Sequence, residues 1–480
     1  MNNFSRRVFL RHSSLATIGL MLSKHSFANM STDYTYFSIA DVSELVRQKK
    51  VSPVDLVKAC LKRIELLNPK LNAFITVTGE VALKEANLAE TEIANGKWKG
   101  PLHGIPIALK DNIDTAGIRT TAGSGVYKDR IPTEDAEVTV LLRNAGAISL
   151  GKLNMHEFAF GTTSVPSYFG SVHNPWDRNF IAGGSSGGSA VAVAAGLCYA
   201  TIGTDTGGSI RLPAACCGVT GLKPTYDLVS IRGIVPLAQS MDHAGPICRT
   251  VEDVAIMLNA ICSRAAQPNT DFRKFVNSVQ HPKLGVVQIS NISDNVNAAF
   301  VKAITTFQKL NFKTTKVELP QSLPTRSLVF DAEVATLHNP ILKQHKDLYD
   351  PVTIERFKSV KEVTSEDYKN ARNKMEEDRR TISDQLFKDV DVIILPTTLT
   401  APLSINDAKV KGARALAVDN TIPFNYYGLP AISIPCGFTN DGLPLGLQIV
   451  GPKLGESKVL DIAYRYQKAT NWHLKHPKIS

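Results

Sequence analysis

The run Gly183-Gly184-Ser185-Ser186-Gly187-Gly188-Ser189, leading into Ala190 to Ala195, restricts what this chain can fold into more than any other stretch. Glycines let successive backbone N–H groups converge on one point, and the helix that follows adds the positive end of its dipole. By itself such a loop suits a phosphate as well as a nucleophile. It also satisfies G-x-S-x-G through Gly184-Ser185-Ser186-Gly187-Gly188, which would make Ser186 the nucleophile of an α/β-hydrolase. That motif wants a firm strand immediately before it, and Asp177 to Ala182 reads as a poor one. A phosphate loop should close with Gly-Lys-Ser/Thr, and this one does not.

A second serine stands in a glycine turn 24 residues after Ser185, within Gly203-Thr204-Asp205-Thr206-Gly207-Gly208-Ser209-Ile210-Arg211-Leu212-Pro213. A serine beside two glycines can expose its Oγ while consecutive N–H groups point at one spot, as an oxyanion hole requires. Upstream, Gly104-Ile105-Pro106-Ile107-Ala108-Leu109-Lys110-Asp111-Asn112 puts a lone lysine at the end of an apolar strand. Burial there favours the neutral amine, the form able to act as a base.

Around these motifs, Ile105 to Ala260 alternates short β-branched runs with Gly-rich turns and Ala-rich helices. Strands are expected at Ile105 to Lys110, Ala147 to Leu150 and Ala200 to Gly203, with helices at Val138 to Ala145 and Ser189 to Gly196. Before this region, Ile39 to Leu67 reads as two helices ended by Pro69, the second opened by a Ser52-Pro53 cap, and Glu80 to Asn95 as an amphipathic helix. After it, residues 263–282 read as loop. Strands at Leu284 to Gln288, Thr314 to Leu319, Val390 to Leu395, Ala431 to Pro435 and Leu445 to Val450 follow, with helices at Asn295 to Leu310, within Glu366 to Lys388 and at Lys458 to Thr470. This alternation predicts an α/β sheet with covering helices.

At 480 residues, 43% hydrophobic and 20% charged, the chain has the composition of a sizeable enzyme, which excludes disorder, collagen and a disulfide-stapled miniprotein. The formal charge of +10 includes Arg6, Arg7, Arg11 and Lys24 in the first 28 residues, which hold no acid, and falls to +6 without them. So modest a charge over a large surface reads as a solvated face, and no nucleic-acid partner is expected. Ser5-Arg6-Arg7-Val8-Phe9-Leu10-Arg11, the weakly apolar Leu15 to Leu22 and Ser26-Phe27-Ala28 resemble a twin-arginine export signal. The expected division is a signal peptide over residues 1–28 and an enzyme domain over 29–480, periplasmic or secreted. The apolar run falls short of the roughly 20 residues that cross a bilayer and no later stretch qualifies, so no stable membrane insertion is expected. Seven cysteines without C-x-x-C spacing fit buried free thiols; with neither zinc-type spacing nor H-E-x-x-H, no metal and no cofactor are expected.

The segments around Lys110, Ser185 and Ser209 together resemble the amidase signature family. The pattern continues through Gly218-Val219-Thr220-Gly221-Leu222-Lys223-Pro224-Thr225, Asp242-His243-Ala244-Gly245-Pro246, Pro423-Phe424-Asn425-Tyr426-Tyr427-Gly428-Leu429-Pro430-Ala431 and Gly442-Leu443-Pro444-Leu445-Gly446-Leu447-Gln448. The resemblance spans nearly all of residues 36–475 and is weakest between about 264 and 388. It implies the amidase signature fold, a mixed central sheet covered on both faces by helices. It implies Ser209 as nucleophile, Ser185 as a bridging serine after a cis peptide, and Lys110 as base. The N–H groups of Thr206, Gly207, Gly208 and Ser209 would hold the oxyanion, with Ser186, Asp205 and Arg211 in support. No histidine is required, so His103, His156 and His243 read as structural or pocket-lining. The implied activity is hydrolysis of a small-molecule amide to an acid plus ammonia or an amine, with the variable region 264–388 as pocket wall. Together with the N-terminal signal this reads as an exported enzyme, expected as a monomer or homodimer. Lys152-Leu153-Asn154-Met155-His156-Glu157-Phe158-Ala159 and Lys223-Pro224-Thr225 also resemble the A subunit of the glutamyl-tRNA amidotransferase, which passes ammonia to a partner bound to tRNA. That subunit is the alternative, and the export signal weighs against it.

Overall fold

The structure, a computed structural model, describes residues 33–479 except 264–266, 268–269, 321–322 and 413–414; the expected signal segment, residues 1–28, lies outside the described residues. Eleven strands form one sheet: β1 (Phe74–Val77), β2 (Pro106–Lys110), β3 (Ile148–Leu153), β4 (Ala200–Asp205), β5 (Thr220–Lys223), β6 (His243–Cys248), β7 (Lys283–Val287), β8 (Lys313–Val317), β9 (Val392–Pro396), β10 (Ala431–Phe438) and β11 (Pro444–Val450). Their order is β1-β3-β2-β4-β6-β5-β10-β11-β9-β7-β8. The sheet is mixed: β2 runs parallel to β3 and β4, and β7 parallel to β8 and β9, while the other neighbours are antiparallel.

Every residue of β2, β4, β9 and β11 is buried. Successive side chains of a strand point to opposite faces, so strands buried throughout require cover on both. β9 shows the two resulting cores. Val392 and Ile394 join one with Ile432 and Leu447, and Ile393 and Leu395 join the other with Phe357, Met375 and Phe424. The edge strand β8 is mostly exposed, and its Lys313 and Lys316 discourage pairing with another chain.

The α/β reading and most expected elements agree with this architecture, and the departures have local causes. Pro69 does not end the second N-terminal helix, which runs Pro53–Leu71 and stops at Asn72 in the left-handed conformation. A proline in the last turn removes one intrahelical bond near an end that Asn72 then caps, donating its N–H to Asn68 C=O. Within the expected loop 263–282, a 3₁₀ turn Phe272–Lys274 buries Phe272 and Phe275. From Pro324 onward the variable region folds as the helices Pro324–His345, Pro351–Lys358 and Ser365–Leu386, which place Val329, Phe357 and Met375 in the second core. Strands β1, β5 and β6 have no expected counterpart. β6 carries Gly245 and Pro246 at its centre, and a Cβ on Gly245 would strike the Leu222 carbonyl of β5.

Candidate active site

β2 and β4 are neighbouring parallel strands, so their carboxyl ends reach the same edge of the sheet, where open α/β sheets place their sites. β2 ends in Lys110 and β4 in Thr204-Asp205. The glycine run delivers Ser185 and Ser186 to the start of the helix Gly187–Ala194, all of whose residues are buried. That helix can lie so deep because it is small-sided: a Cβ on Gly188 would strike the carbonyls of Asn154 and Ala73. Ser209 stands in the turn between β4 and the helix Arg211–Cys217.

Lys110 Nζ lies 2.7 Å from Ser185 Oγ and 2.7 Å from Thr204 Oγ1. Both Lys110 and Ser185 are fully buried, whereas Ser209 is 7% exposed. The peptide bond Gly184–Ser185 is cis. Ser186 N–H donates to the Ser209 carbonyl at 3.2 Å, which holds the two serine loops side by side. Burial lowers the Lys110 ammonium to about 7, against the opposing charges of Asp205 and Asp242. At neutral pH a large share of this amine is unprotonated and can accept a proton.

Asp205 organises the turn that carries Ser209. Its carboxylate accepts Gly208 N–H at 2.7 Å, Ile210 N–H at 3.1 Å, both arms of Arg211 at 2.9 and 3.0 Å, and Asn425 Nδ2 at 2.8 Å. Burial pushes this carboxyl up, and Arg211 with Asn425 more than reverses that, holding it below the usual carboxylate range. Gly208 N–H, implied as an oxyanion donor, is engaged by Asp205 within the turn, so the N–H groups of Thr206, Gly207 and Ser209 are left for that role. The turn admits only glycine at 208, where φ is +133° and a Cβ would strike the Thr421 side chain.

A family model described as Amidase matches residues 55–460. The chain belongs to the amidase family. It is an amide-cleaving hydrolase. It is 36% identical over 483 residues to the A subunit of the glutamyl-tRNA(Gln) amidotransferase from Carboxydothermus hydrogenoformans, covering 92% of this chain and 99% of the relative. Among solved structures it resembles one described as an amidase, with TM-score 0.81, 32% identity and coverage of 90% of this chain and 99% of the other. It also resembles the native peptide amidase from Stenotrophomonas maltophilia, with TM-score 0.80, 30% identity and coverage of 91% and 98%.

In this amidase Ser186 is fully buried, and its Oγ donates to the Thr204 carbonyl at 3.1 Å. No strand precedes it at 182–184, so the nucleophile elbow that G-x-S-x-G offered is not built. His103 pairs with Glu92 at 2.9 Å, away from the serines. His156 donates its backbone N–H to Ser185 C=O at 3.0 Å, and His243 sits behind the turn, its Nδ1 2.7 Å from Met241 C=O. Sequence reasoning misses Thr204, Asn112 and Asn425 as individual residues. All three lie inside the motifs quoted for their neighbours, and a polar residue flanking a buried lysine or aspartate is the signal that could have found them. Arg379 carries no such signal. It comes from the charged helix Ser365–Leu386 and donates to the Tyr426 and Ser240 carbonyls at 2.7 Å.

Proposed function

We propose that the amidase works through an acyl-enzyme on Ser209, with Ser185 as proton bridge and Lys110 as base. Neutral Lys110 accepts the Ser185 proton as Ser185 takes that of Ser209, and Ser209 Oγ forms a bond to the amide carbonyl carbon. The negative charge that develops on the carbonyl oxygen meets the N–H groups of Thr206, Gly207 and Ser209. The proton returns through Ser185 to the leaving nitrogen as the C–N bond breaks, and ammonia or an amine departs. Water then repeats the relay, breaks the ester and frees the carboxylic acid. The observation that carries this reading is the buried 2.7 Å contact between Lys110 Nζ and Ser185 Oγ.

On substrate and setting, we infer an enzyme of the amidotransferase A-subunit type, which releases ammonia from a small primary carboxamide for a partner protein. The identity of 36% along 99% of the curated relative from Carboxydothermus hydrogenoformans supports this. A second reading, an exported stand-alone amidase, is favoured by Arg6-Arg7 and Ser26-Phe27-Ala28. The test is hydrolysis of a panel of primary and aryl amides, glutamine included, by chain purified at native abundance. Glutamine turnover with a second chain copurifying supports the amidotransferase reading. Full activity of the lone chain on simple or aryl amides, glutamine untouched, supports the stand-alone amidase.

A further inference from the structure

Next to Thr204, the second hydroxyl that Lys110 Nζ contacts, lies a cavity of about 10 Å³, walled by Asn112, Thr204, Thr206, Asp242 and His243 and closed by aliphatic side chains. That is about the space one water molecule requires. Two buried acceptors on these walls have no donor, Asn112 Oδ1 and His243 Nε2. The orientation of each group is fixed by its other contacts. Asn112 Nδ2 donates to Val235 C=O at 3.2 Å, which a flipped amide could not do. His243 Nδ1 lies 2.7 Å from Met241 C=O, an acceptor only, so the proton sits on Nδ1 and Nε2 offers a lone pair. Thr206 gives its hydroxyl proton to Asp242 Oδ1 at 2.5 Å. Thr204 Oγ1 accepts from Lys110 Nζ at 2.7 Å and from Asn112 Nδ2 at 3.3 Å, and its own proton still needs an acceptor.

Two acceptors and one donor are the complement of a single water, which offers two O–H groups and a lone pair. We propose that one structural water binds in this cavity, donating to Asn112 Oδ1 and His243 Nε2 and accepting the Thr204 hydroxyl proton, and that His243 thereby positions the base. The consequence is directional. With its proton drawn towards the water, Thr204 presents only oxygen to Lys110. The amine must then give Thr204 an N–H and keep its lone pair for the Ser185 hydroxyl. Without the water, Thr204 can turn its O–H onto that lone pair and compete with Ser185. His243 touches no reacting atom and acts through the water and Thr204. The inference rests on the reading of Lys110 as base.

A crystal structure at about 1.5 Å resolution tests the water itself. Density within about 3.2 Å of Asn112 Oδ1, His243 Nε2 and Thr204 Oγ1 is expected, and a well-ordered site without it overturns the proposal. Kinetics on the best primary amide of the panel test the role. His243→Phe keeps a planar ring but removes the acceptor; kcat should fall roughly 10-fold with KM within about twofold, as for loss of an aid to the chemical step. His243→Gln, which restores an acceptor near the Nε2 position, should recover most of that loss. Unchanged kcat in a folded His243→Phe enzyme overturns the positioning role, and if that variant does not fold the crystallographic result decides. An active Lys110→Ala enzyme would instead remove the base reading while leaving the water in place.

Discussion

Lys110 Nζ and Ser185 Oγ meet at 2.7 Å in an environment from which solvent is excluded on both sides of the contact. No carboxylate pairs with the amine among the described residues, so beyond the Ser185 and Thr204 hydroxyls the proton it would carry is stabilised only by more distant charge. A lysine in this position can shed its proton near neutrality, where the same lysine on the surface would be a permanent cation.

Lys110→Ala should therefore cost more than the roughly 10- to 100-fold expected of a positioning residue, since a general base alone contributes about 10²- to 10⁴-fold. Amide hydrolysis by the wild type should decline on the acid side with an inflection near the lysine value of about 7. Activated esters should suffer less than amides from the same substitution, because their leaving groups need little protonation. Steady-state rates on a matched amide and ester across pH 5 to 9 check all three points.

The same buried amine should weaken the fold. In the unfolded chain a lysine keeps its proton up to about pH 10.4, whereas in the fold Lys110 gives it up near 7. Between these values the unfolded state binds more protons, so this group's contribution to stability rises with pH across that window. Lys110→Met should be inactive yet more stable than the wild type at pH 7, with the margin shrinking towards pH 10. Denaturant midpoints at several pH values measure this, and a variant less stable than the wild type at pH 7 would contradict it.

Asp205→Asn should leave Arg211 buried without its charge partner. Breaking a buried pair in this way costs about 3–5 kcal/mol, and here it also frees the turn that carries Ser209. A lower thermal midpoint together with a fall in kcat is expected. A variant with native stability would show that Asn425 and Gln448, which donate to Asp205 and accept from Arg211 respectively, suffice alone.

The candidate site is legible in the sequence because Lys110, Ser185 and Ser209 each sit in a short motif whose glycines have steric reasons to be there. Gly188 lets a helix approach two carbonyls, and Gly208 adopts a φ of +133°. The same logic locates β2, β4 and the turn between Asp205 and Arg211 within a few residues. It fails where neighbours in space, not in sequence, decide the conformation. β6 is a central strand despite Gly245 and Pro246, because β4 and β5 flank it. The helix Pro324–His345 is amphipathic only weakly along its length, and its Val329 and Val334 find their core in strands and helices far away in the chain. Thr204 and Asn112 are hidden for another reason: their importance lies in how their hydrogen-bonding atoms are partnered in space, which a sequence does not display.

The N-terminus separates the two settings proposed for the enzyme. If residues 1–28 are an export signal, intact-protein mass spectrometry of periplasmic material should show a chain beginning at Asn29, and replacing Arg6 and Arg7 by lysine should abolish export. Protein recovered only from the cytoplasm with residues 1–28 retained would favour the amidotransferase reading.

The nucleophile is tested most directly by mapping a fluorophosphonate adduct. Trypsin leaves Ser185, Ser186 and Ser209 in one peptide, Asn179 to Arg211, so a second cut after Tyr199 is needed to separate the first two from the third. The adduct is expected on the Ala200 to Arg211 fragment, at Ser209, with labelling slowed by more than about 100-fold in Lys110→Ala. An adduct on the fragment that holds Ser185 and Ser186, or labelling of Ser209 at the wild-type rate without Lys110, would contradict the Ser209-Ser185-Lys110 relay.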